Sequence, residues 1–303
     1  MRMRWIAAVA MVAGALGFAG CASAPASAPV ATAPAAAPAQ ASAPPAVASA
    51  TTPARPFEPV VGQAGKDVVW VPTSEALIER MLNLAKLTPA DYVIDLGSGD
   101  GRNIIAAAKR GARGHGVEFN PEMVALAQKL AREAGVADRA TFIQGDMYEA
   151  DISKATVMAL FLLPTNLDKL QDKFLALPPG TRIVMNTFIV TGWDPDASDR
   201  LDDTTCNSWC SALLYIVPAK VAGRWQLDGA GELTLTQEYQ VVTGTLAAGG
   251  TPATVTGRLA GADITLNIGG TTYTGKVDGG RISGSVATPA GGTRDWTATR
   301  VAG

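Results

Sequence analysis

Three glycines and two carboxylates are concentrated in one short loop of this 303-residue chain. Residues 95–101 read Asp-Leu-Gly-Ser-Gly-Asp-Gly, between an apolar run typical of a strand and a run with helical periodicity. Such a turn lies at the carboxyl edge of a parallel sheet, where open α/β folds bind their ligands. A further acid, Glu118, closes the next apolar run. The pattern therefore predicts a site for a nucleotide-like ligand that carries a ribose.

The acids in the loop indicate which nucleotide it binds. A dinucleotide site uses GxGxxG spacing and presents a pyrophosphate to a helix N-terminus, whereas this loop has GxGxG spacing. Asp95 and Asp100 would repel a pyrophosphate but attract a ligand with positive charges. S-adenosylmethionine (SAM) carries both an ammonium and a sulfonium, so the loop favours SAM.

The segment DLGSGDG resembles motif I of the class I SAM-dependent methyltransferases, and further matches follow in order between residues 68 and 188. Glu118 matches the acid that accepts the ribose hydroxyls, and Asp146 matches the acid that reads the adenine amino group. Residues 160–164 occupy the motif IV position, where Leu162 and Leu163 either line the methyl-transfer channel or belong to the core. The resemblance implies SAM contacts at Asp95, Gly97, Ser98, Gly99, Gly101, Glu118, Asp146, Met147 and Leu162.

The segments VPTSEALIERML and FLLP resemble the family of protein-lysine methyltransferases that includes the mitochondrial enzymes for the ATP synthase c-subunit and the adenine nucleotide carrier. This resemblance implies transfer of a methyl group from SAM to a protein lysine or to a small acceptor, without a metal. The catalytic residues stay unassigned, because the single histidine, His115, falls within the second strand and away from the expected channel. A competing hypothesis is a non-catalytic envelope binding module that retains a SAM or adenosine site.

Alternating strand and helix patterns predict a methyltransferase domain over residues 58–220, a Rossmann-like α/β sheet with helices on both faces. Thr73 or Ser74 can cap the first helix, and residues 71–73 either form that cap or cover the methionine end of SAM. The predicted elements are strands at 92–96, 114–118, 140–143, 156–162, 181–188 and 213–217, and helices at 102–110, 121–134 and 167–175.

The texture changes after Pro218, and residues 221–303 predict an antiparallel β domain. An apolar residue, a hydroxyl, a glycine and an aliphatic residue recur in one pattern, so we expect six to eight strands in a small barrel or sandwich. Trp225 and Trp296 are predicted core residues, and the mid-strand glycines predict bends or bulges. The domain is either a structural appendage or a binding surface for a substrate or an envelope component.

Cys206 and Cys210 lie close together after the fifth strand. In an exported protein this spacing favours a structural disulfide; free buried thiols and a redox or metal role are the alternatives. Too few other cysteine and histidine side chains exist for a zinc site.

The amino terminus predicts export. Residues 1–20 have two arginines before a short apolar run, as in a signal peptide, and Cys21 follows in a sequence that resembles a lipobox. Cleavage near residues 22–24 without lipidation is the alternative. Residues 21–57 are rich in Ala, Pro and Ser and predict an extended tether. We therefore expect a periplasmic lipoprotein on the outer membrane of a Gram-negative bacterium, with the lipid as its sole membrane attachment. The net charge of −2 does not favour nucleic acid.

Overall fold

The computed structural model describes residues 57–202, 204, 206–288 and 291–302. The predicted signal peptide, the lipidation site at Cys21 and the tether up to residue 56 lie outside the described residues. No helix of the described residues is long and apolar enough to span a membrane.

The first part of the described chain is built around one sheet. Its strands are β1 (Tyr92–Leu96), β2 (Arg113–Glu118), β3 (Ala140–Gln144), β4 (Val157–Leu160), β5 (Arg182–Asn186), β6 (Ala197–Arg200) and β7 (Ser211–Ile216). The strand order is β3-β2-β1-β4-β5-β7-β6, with β1 to β5 parallel, β7 antiparallel to β5, and β6 antiparallel to β7. The chain leaves β1 towards β3 and returns to β4 on the other side of β1, which opens a crevice at the carboxyl ends of β1 and β4.

Helices cover both faces of this sheet, which confirms the Rossmann-like prediction. They are α1 (Glu75–Leu84), α2 (Arg102–Lys109), α3 (Pro121–Glu133) and α4 (Pro164–Leu175). The first three share one core, which includes Leu77, Ile104 and Val124, and α4 packs into a second core through Leu170 and Phe174. The Ser74 hydroxyl accepts a hydrogen bond from the Leu77 amide at the start of α1, and Asn120 caps α3 in the same way through the Glu122 amide.

Eight further strands of the described chain close into an antiparallel barrel, which settles the choice between barrel and sandwich. They are β8 (Gly223–Leu227), β9 (Gly231–Glu238), β10 (Val241–Ala247), β11 (Ala253–Ala260), β12 (Asp263–Ile268), β13 (Thr271–Asp278), β14 (Arg281–Ala287) and β15 (Thr293–Arg300). Closure comes from the pairing of β15 with β8 and of β8 with β9. Trp225 and Trp296 are buried in the barrel core, as predicted.

The mid-strand glycines of the barrel do not form the predicted bulges. Gly244 and Gly284 sit in unbroken ladders, opposite Leu235 and Gly275 respectively. A Cβ atom at Gly244 would collide with the Thr234 carbonyl of the neighbouring strand. These glycines therefore permit close approach of tightly curved strands rather than a local bend.

The barrel contacts the loop that follows β5. The Trp193 ring stacks on Tyr239, with centroids 5.6 Å apart and an interplanar angle of 3°. Gln240 donates to the Asp194 carbonyl at 2.7 Å, and Arg258 pairs with Asp196 at 2.8 Å. On the sheet side, the residues of this interface follow β5 in sequence and precede the edge hairpin of β6 and β7.

Candidate active site

A cavity that is open to solvent lies at the carboxyl ends of the central strands. Its wall combines the glycine loop, the ends of β2, β4 and β5, and the segment that precedes α1. It is lined by residues 63–65 and 68–73, by Asp95, Gly97, Ser98, Gly99, Asp100, Arg102, Asn103, Glu118, Asn120 and Met123, and by Phe161, Leu162, Leu163, Phe188 and Trp209. This is the crevice at which open α/β sheets bind ligands.

The glycine loop owes its shape to backbone conformations that other residues rarely adopt. Gly97 and Gly99 have φ values of 69° and 55°. The amides of Gly97 and Ser98 both donate to the Val117 carbonyl, at 2.8 and 3.1 Å, which ties the loop to β2. A Cβ atom at Gly99 would lie 2.6 Å from Trp70 Nε1. The loop thus requires glycine both for its turn and for the close approach of Trp70.

Gly101 lies outside the cavity, although it belongs to the predicted set. It begins α2 with φ 81°, and a Cβ atom there would lie 2.5 Å from the Phe142 ring. Its role in the structure is to pack α2 closely against β3.

Asp95 is a buried carboxylate whose side chain points at the cavity. It is 3% exposed and accepts a hydrogen bond from Asn103 Nδ2 at 3.0 Å. Burial raises its pKa well above the usual range, and the negative charges of Glu118 and Asp100 raise it further, while the Asn103 hydrogen bond opposes them. A cationic ligand group would relieve this unfavourable charge, which is an observation that fits SAM.

The two other acids of the loop region, Asp100 and Glu118, both form contacts within the protein. Asp100 is held by Arg102, whose Nη2 lies 2.6 Å from Oδ2, and Arg102 also donates to the Thr73 carbonyl at 2.8 Å. Glu118 accepts the amides of Gly99 at 3.0 Å and Asn120 at 2.9 Å, one on each oxygen. Each Glu118 oxygen keeps a lone pair for a hydroxyl. Asp95 and Glu118 are therefore the acids available to a ligand, whereas Asp100 neutralises Arg102.

Asp146 and Met147 follow β3 as predicted, but neither lines the cavity. Asp146 is paired with Lys66 Nζ at 2.5 Å and accepts the Tyr148 amide at 2.9 Å. These two hydrogen bonds lower its pKa, the Lys66 contact most of all. Met147 is buried in the same core as Leu170 and Phe174 of α4. Lys66 thus occupies the carboxylate that the resemblance assigns to adenine.

Residues 57–73 form a covering segment over the glycine loop, and the sequence predicted it only at residues 71–73. Trp70 and Lys66 are its two main contacts with the predicted site, through Gly99 and Asp146. The Lys66 ammonium also lies 5.2 Å from the centroid of the Phe119 ring. The sequence carries no periodic signal for these contacts, since both partners lie far away along the chain.

Leu162 both lines the cavity and is buried, at 2% exposed, so the two readings of this position coincide. Phe161 and Leu163, which belong to the same predicted motif IV segment, also line the cavity. Two further aromatic side chains of the lining were missed: Phe188 and Trp209. Trp209 lies inside the loop closed by Cys206 and Cys210, which are joined by a disulfide in the structure.

His115 lies in β2 and outside this cavity. Its Nδ1 is 3.1 Å from the Tyr92 hydroxyl, and burial lowers its pKa. Among the described residues that line the cavity, the ionisable ones are Asp95, Asp100, Arg102 and Glu118, all on the side of the glycine loop. The other end is aromatic and aliphatic. The arrangement can hold a cationic, ribose-bearing ligand beside an apolar entrance.

Comparison with known proteins gives matches over the sheet. The family described as ANTKMT methyltransferase domain matches residues 95–197, which end before the barrel begins. A protein-lysine N-methyltransferase of Saccharolobus islandicus is 40% identical over 153 residues, which cover 50% of this chain and 94% of that protein. The mouse adenine nucleotide translocase lysine N-methyltransferase is 36% identical over 132 residues, or 43% of this chain and 57% of the relative.

The human lysine N-methyltransferase of the ATP synthase c-subunit is 31% identical over 128 residues, or 42% of this chain and 54% of the relative. The chain therefore spans almost the whole archaeal relative but little more than half the length of these two animal relatives. Among solved structures, an RNA methyltransferase from Salinibacter ruber in complex with S-adenosyl-L-homocysteine is 44% identical. The match covers 50% of this chain and 96% of that chain, with a TM-score of 0.47. None of these matches supports the non-catalytic alternative.

Proposed function

This chain belongs to the family of SAM-dependent protein-lysine methyltransferases, and we propose that it methylates the side-chain amine of a lysine in a protein. The observation that carries the proposal is the cavity, which joins a buried, uncompensated acid to an apolar entrance. A lysine side chain suits such an entrance, because its four methylenes are apolar and only its tip is polar.

We assign the SAM-holding role to the glycine loop and its neighbours. Asp95 faces the positive end of the ligand, Glu118 offers both oxygens to the ribose, and the Ser98 hydroxyl is buried without a partner among the described residues. When bound, SAM supplies an electrophilic methyl group on a positively charged sulfur. Asp146 is the proposed contact to the adenine, and it becomes available once its ion pair with Lys66 is broken.

The chain's own contribution to the reaction is positioning. In-line displacement requires the amine and the methyl group to be held at near-attack distance, and the apolar walls of Phe161 and Leu162 exclude competing water there. A lysine amine attacks only when neutral, and within the part of the chain that the structure describes the ionisable lining residues lie at the other end of the cavity. The proton therefore leaves to solvent, and the rate should rise with pH towards the amine pKa of about 10.4.

The test is transfer of a radiolabelled methyl group from SAM by the purified full-length protein. The acceptor is a Gram-negative envelope extract, in parallel with a matched extract whose lysines have been blocked by N-acetylation, which removes the nucleophilic lone pair. We expect label in the untreated extract alone, with methyl-lysine identified by mass spectrometry. Gly97→Arg is the inactive control, since Gly97 has φ 69° and a Cβ atom there would lie 3.3 Å from Leu162. Equal labelling of both extracts, or binding of S-adenosylhomocysteine without any transfer, would refute the proposal.

We further propose that the enzyme acts as an exported lipoprotein, attached through Cys21 to the outer membrane and separated from it by the tether. The proposal rests on the sequence of residues 1–57. It raises a question of supply, because SAM is made in the cytosol. Incorporation of labelled fatty acid should occur in the natural chain and disappear in Cys21→Ser; persistence in that variant would refute lipidation. Fractionation of cells for methylated product would show on which side of the inner membrane transfer occurs.

A further inference from the structure

Three aromatic rings form a wall at the cavity entrance. Phe161 stacks on Phe188 with centroids 5.9 Å apart and an interplanar angle of 16°. Trp209 meets Phe161 edge-on, also with centroids 5.9 Å apart. All three line the same cavity as Asp95 and Glu118. We call these three rings the aromatic wall.

The backbone beside the wall adopts conformations that are rare for these residue types. Trp209 has φ 53°, and Thr187, which precedes Phe188, has φ 58°. Bulky residues in this region are outliers, and such outliers concentrate at functional sites. Trp209 is also 44% exposed, although its ring is large and apolar. A strained and exposed tryptophan at a cavity entrance indicates a surface that a ligand covers.

The strained segments are held in place by the ends of two neighbouring strands. The Thr187 amide donates to the Ser211 carbonyl at 2.8 Å, and the Ser211 amide donates to the Thr187 hydroxyl at 3.3 Å. The residue before Ser211, Cys210, is buried, and its carbonyl accepts the Leu201 amide at 2.9 Å. The disulfide to Cys206 then closes the short loop that carries Trp209.

We propose that the aromatic wall recognises the alkylammonium end of the acceptor, and that the Cys206–Cys210 disulfide positions Trp209 for this contact. Ring faces attract a cation more strongly than a neutral group of the same shape, with Trp the most effective. The acceptor class is a lysine side chain or its methylated forms. This inference rests on the proposed function, because it takes the acceptor to be a lysine.

A binding experiment without turnover separates the two proposals. The full-length protein, saturated with S-adenosylhomocysteine, is titrated with Nα-acetyl-lysine N-methylamide and with its neutral counterpart, Nα-acetyl-norleucine N-methylamide. We expect the lysine probe to bind about tenfold more tightly. Trp209→Ala should abolish most of this preference, while Trp209→Phe, which keeps a ring, should retain much of it. Val241→Ala is the matched control, since Val241 is a similarly exposed apolar residue of the barrel, and it should change nothing.

The disulfide is tested by the double variant Cys206→Ala, Cys210→Ala. The lysine preference should fall at least about threefold, while the affinity for S-adenosylhomocysteine stays within about twofold of the natural protein. A merely structural role would shift thermal unfolding without changing the ratio of the two probes. A preference that survives Trp209→Ala overturns the aromatic wall as the recognition surface, and one that survives the double variant overturns the role of the disulfide. Failure of methyl transfer with an intact preference would count against the proposed function instead.

Discussion

The sheet and the barrel treat buried polar groups in opposite ways. At the sheet's carboxyl edge, Asp95 is buried with a raised pKa, and Ser98 Oγ and Asn103 Oδ1 are buried without partners. In the barrel, by contrast, Trp225 Nε1 donates to the Val221 carbonyl at 2.8 Å and Trp296 Nε1 donates to the Thr274 carbonyl at 2.9 Å. Among the described residues, the buried side-chain atoms without partners all belong to the sheet part.

Unsatisfied buried groups cost free energy, and among these atoms Ser98 Oγ and Asn103 Oδ1 belong to residues that line the cavity, where a ligand can complete them. The contrast therefore places the ligand site in the sheet part, whereas the side chains of the barrel serve to pack its core. Glycines serve left-handed turns and close packing in both parts of the described chain, and four of them show the two roles. Gly97 and Gly99 supply left-handed turns at the site, whereas Gly244 and Gly284 are extended and supply only space between strands.

The largest effect that would sharpen this contrast comes from Gly284→Ala. A Cβ atom there would collide with the Thr274 carbonyl and the Gly275 backbone, neither of which can move without distorting the barrel. We expect a loss of about 3 kcal/mol in the free energy of unfolding, measured by denaturant titration. Gly250→Ala is the matched control, since nothing lies within 4 Å of a Cβ atom there.

In Gly284→Ala the affinity for S-adenosylhomocysteine should stay within about twofold of the natural protein while the chain remains folded. A large loss of affinity in the folded variant would contradict the division, because it would mean that barrel packing controls the site.

The next effect is expected at Asp95. Its folded pKa is raised, so the folded carboxyl keeps a proton at pH values where the unfolded chain has lost it. The penalty on folding is absent below the unfolded pKa of about 3.9 and grows as pH rises towards the folded pKa. Asp95→Asn removes the charge, so the ligand-free variant should gain about 1 kcal/mol of stability at pH 8 and less at pH 5.

The same change should weaken SAM binding by about a hundredfold, because a charged partner of the ligand is lost. Asp100→Asn is the matched control on the same loop. Since Asp100 is paired with Arg102, this variant should lose stability instead. Thermal unfolding with and without SAM measures both effects. A destabilised Asp95→Asn at both pH values would mean that its carboxylate is satisfied within the protein.

The sequence predicted the parts of this molecule that depend on local pattern. The glycine loop, the alternating strands and helices, and a cap at Thr73 or Ser74 are all local, and the structure has them, with Ser74 as the cap. Strand β6 was missed because its four residues, Ala197–Arg200, contain no apolar run and pair only with β7 at the sheet edge. Barrel and sandwich share one alternation, so the choice between them depended on which end strands pair.

The entrance and the covering segment depend on contacts between distant residues. Phe161 and Trp209 meet only because β4 and the loop before β7 end at the same edge of the sheet. Lys66 and Asp146 are 80 residues apart, and no sequence pattern around either residue predicts that they form a pair. A motif names the residues that suit a ligand, but tertiary structure decides which of them are already occupied.

The smallest predicted effect tests whether Lys66 blocks access of the ligand to Asp146. Lys66 holds Asp146 through an exposed ion pair, so in the proposed site the ligand must displace Lys66 before Asp146 can reach the adenine. Lys66→Ala should therefore tighten binding of S-adenosylhomocysteine by up to about fivefold at low ionic strength. High salt screens the pair in the natural protein, so the two affinities should converge there. Lys129→Ala is the matched control, because Lys129 forms an exposed pair with Glu133 within α3 and should leave binding unchanged. Weaker binding in Lys66→Ala would instead make the lysine a ligand contact, and the covering segment would then be part of the site rather than its competitor.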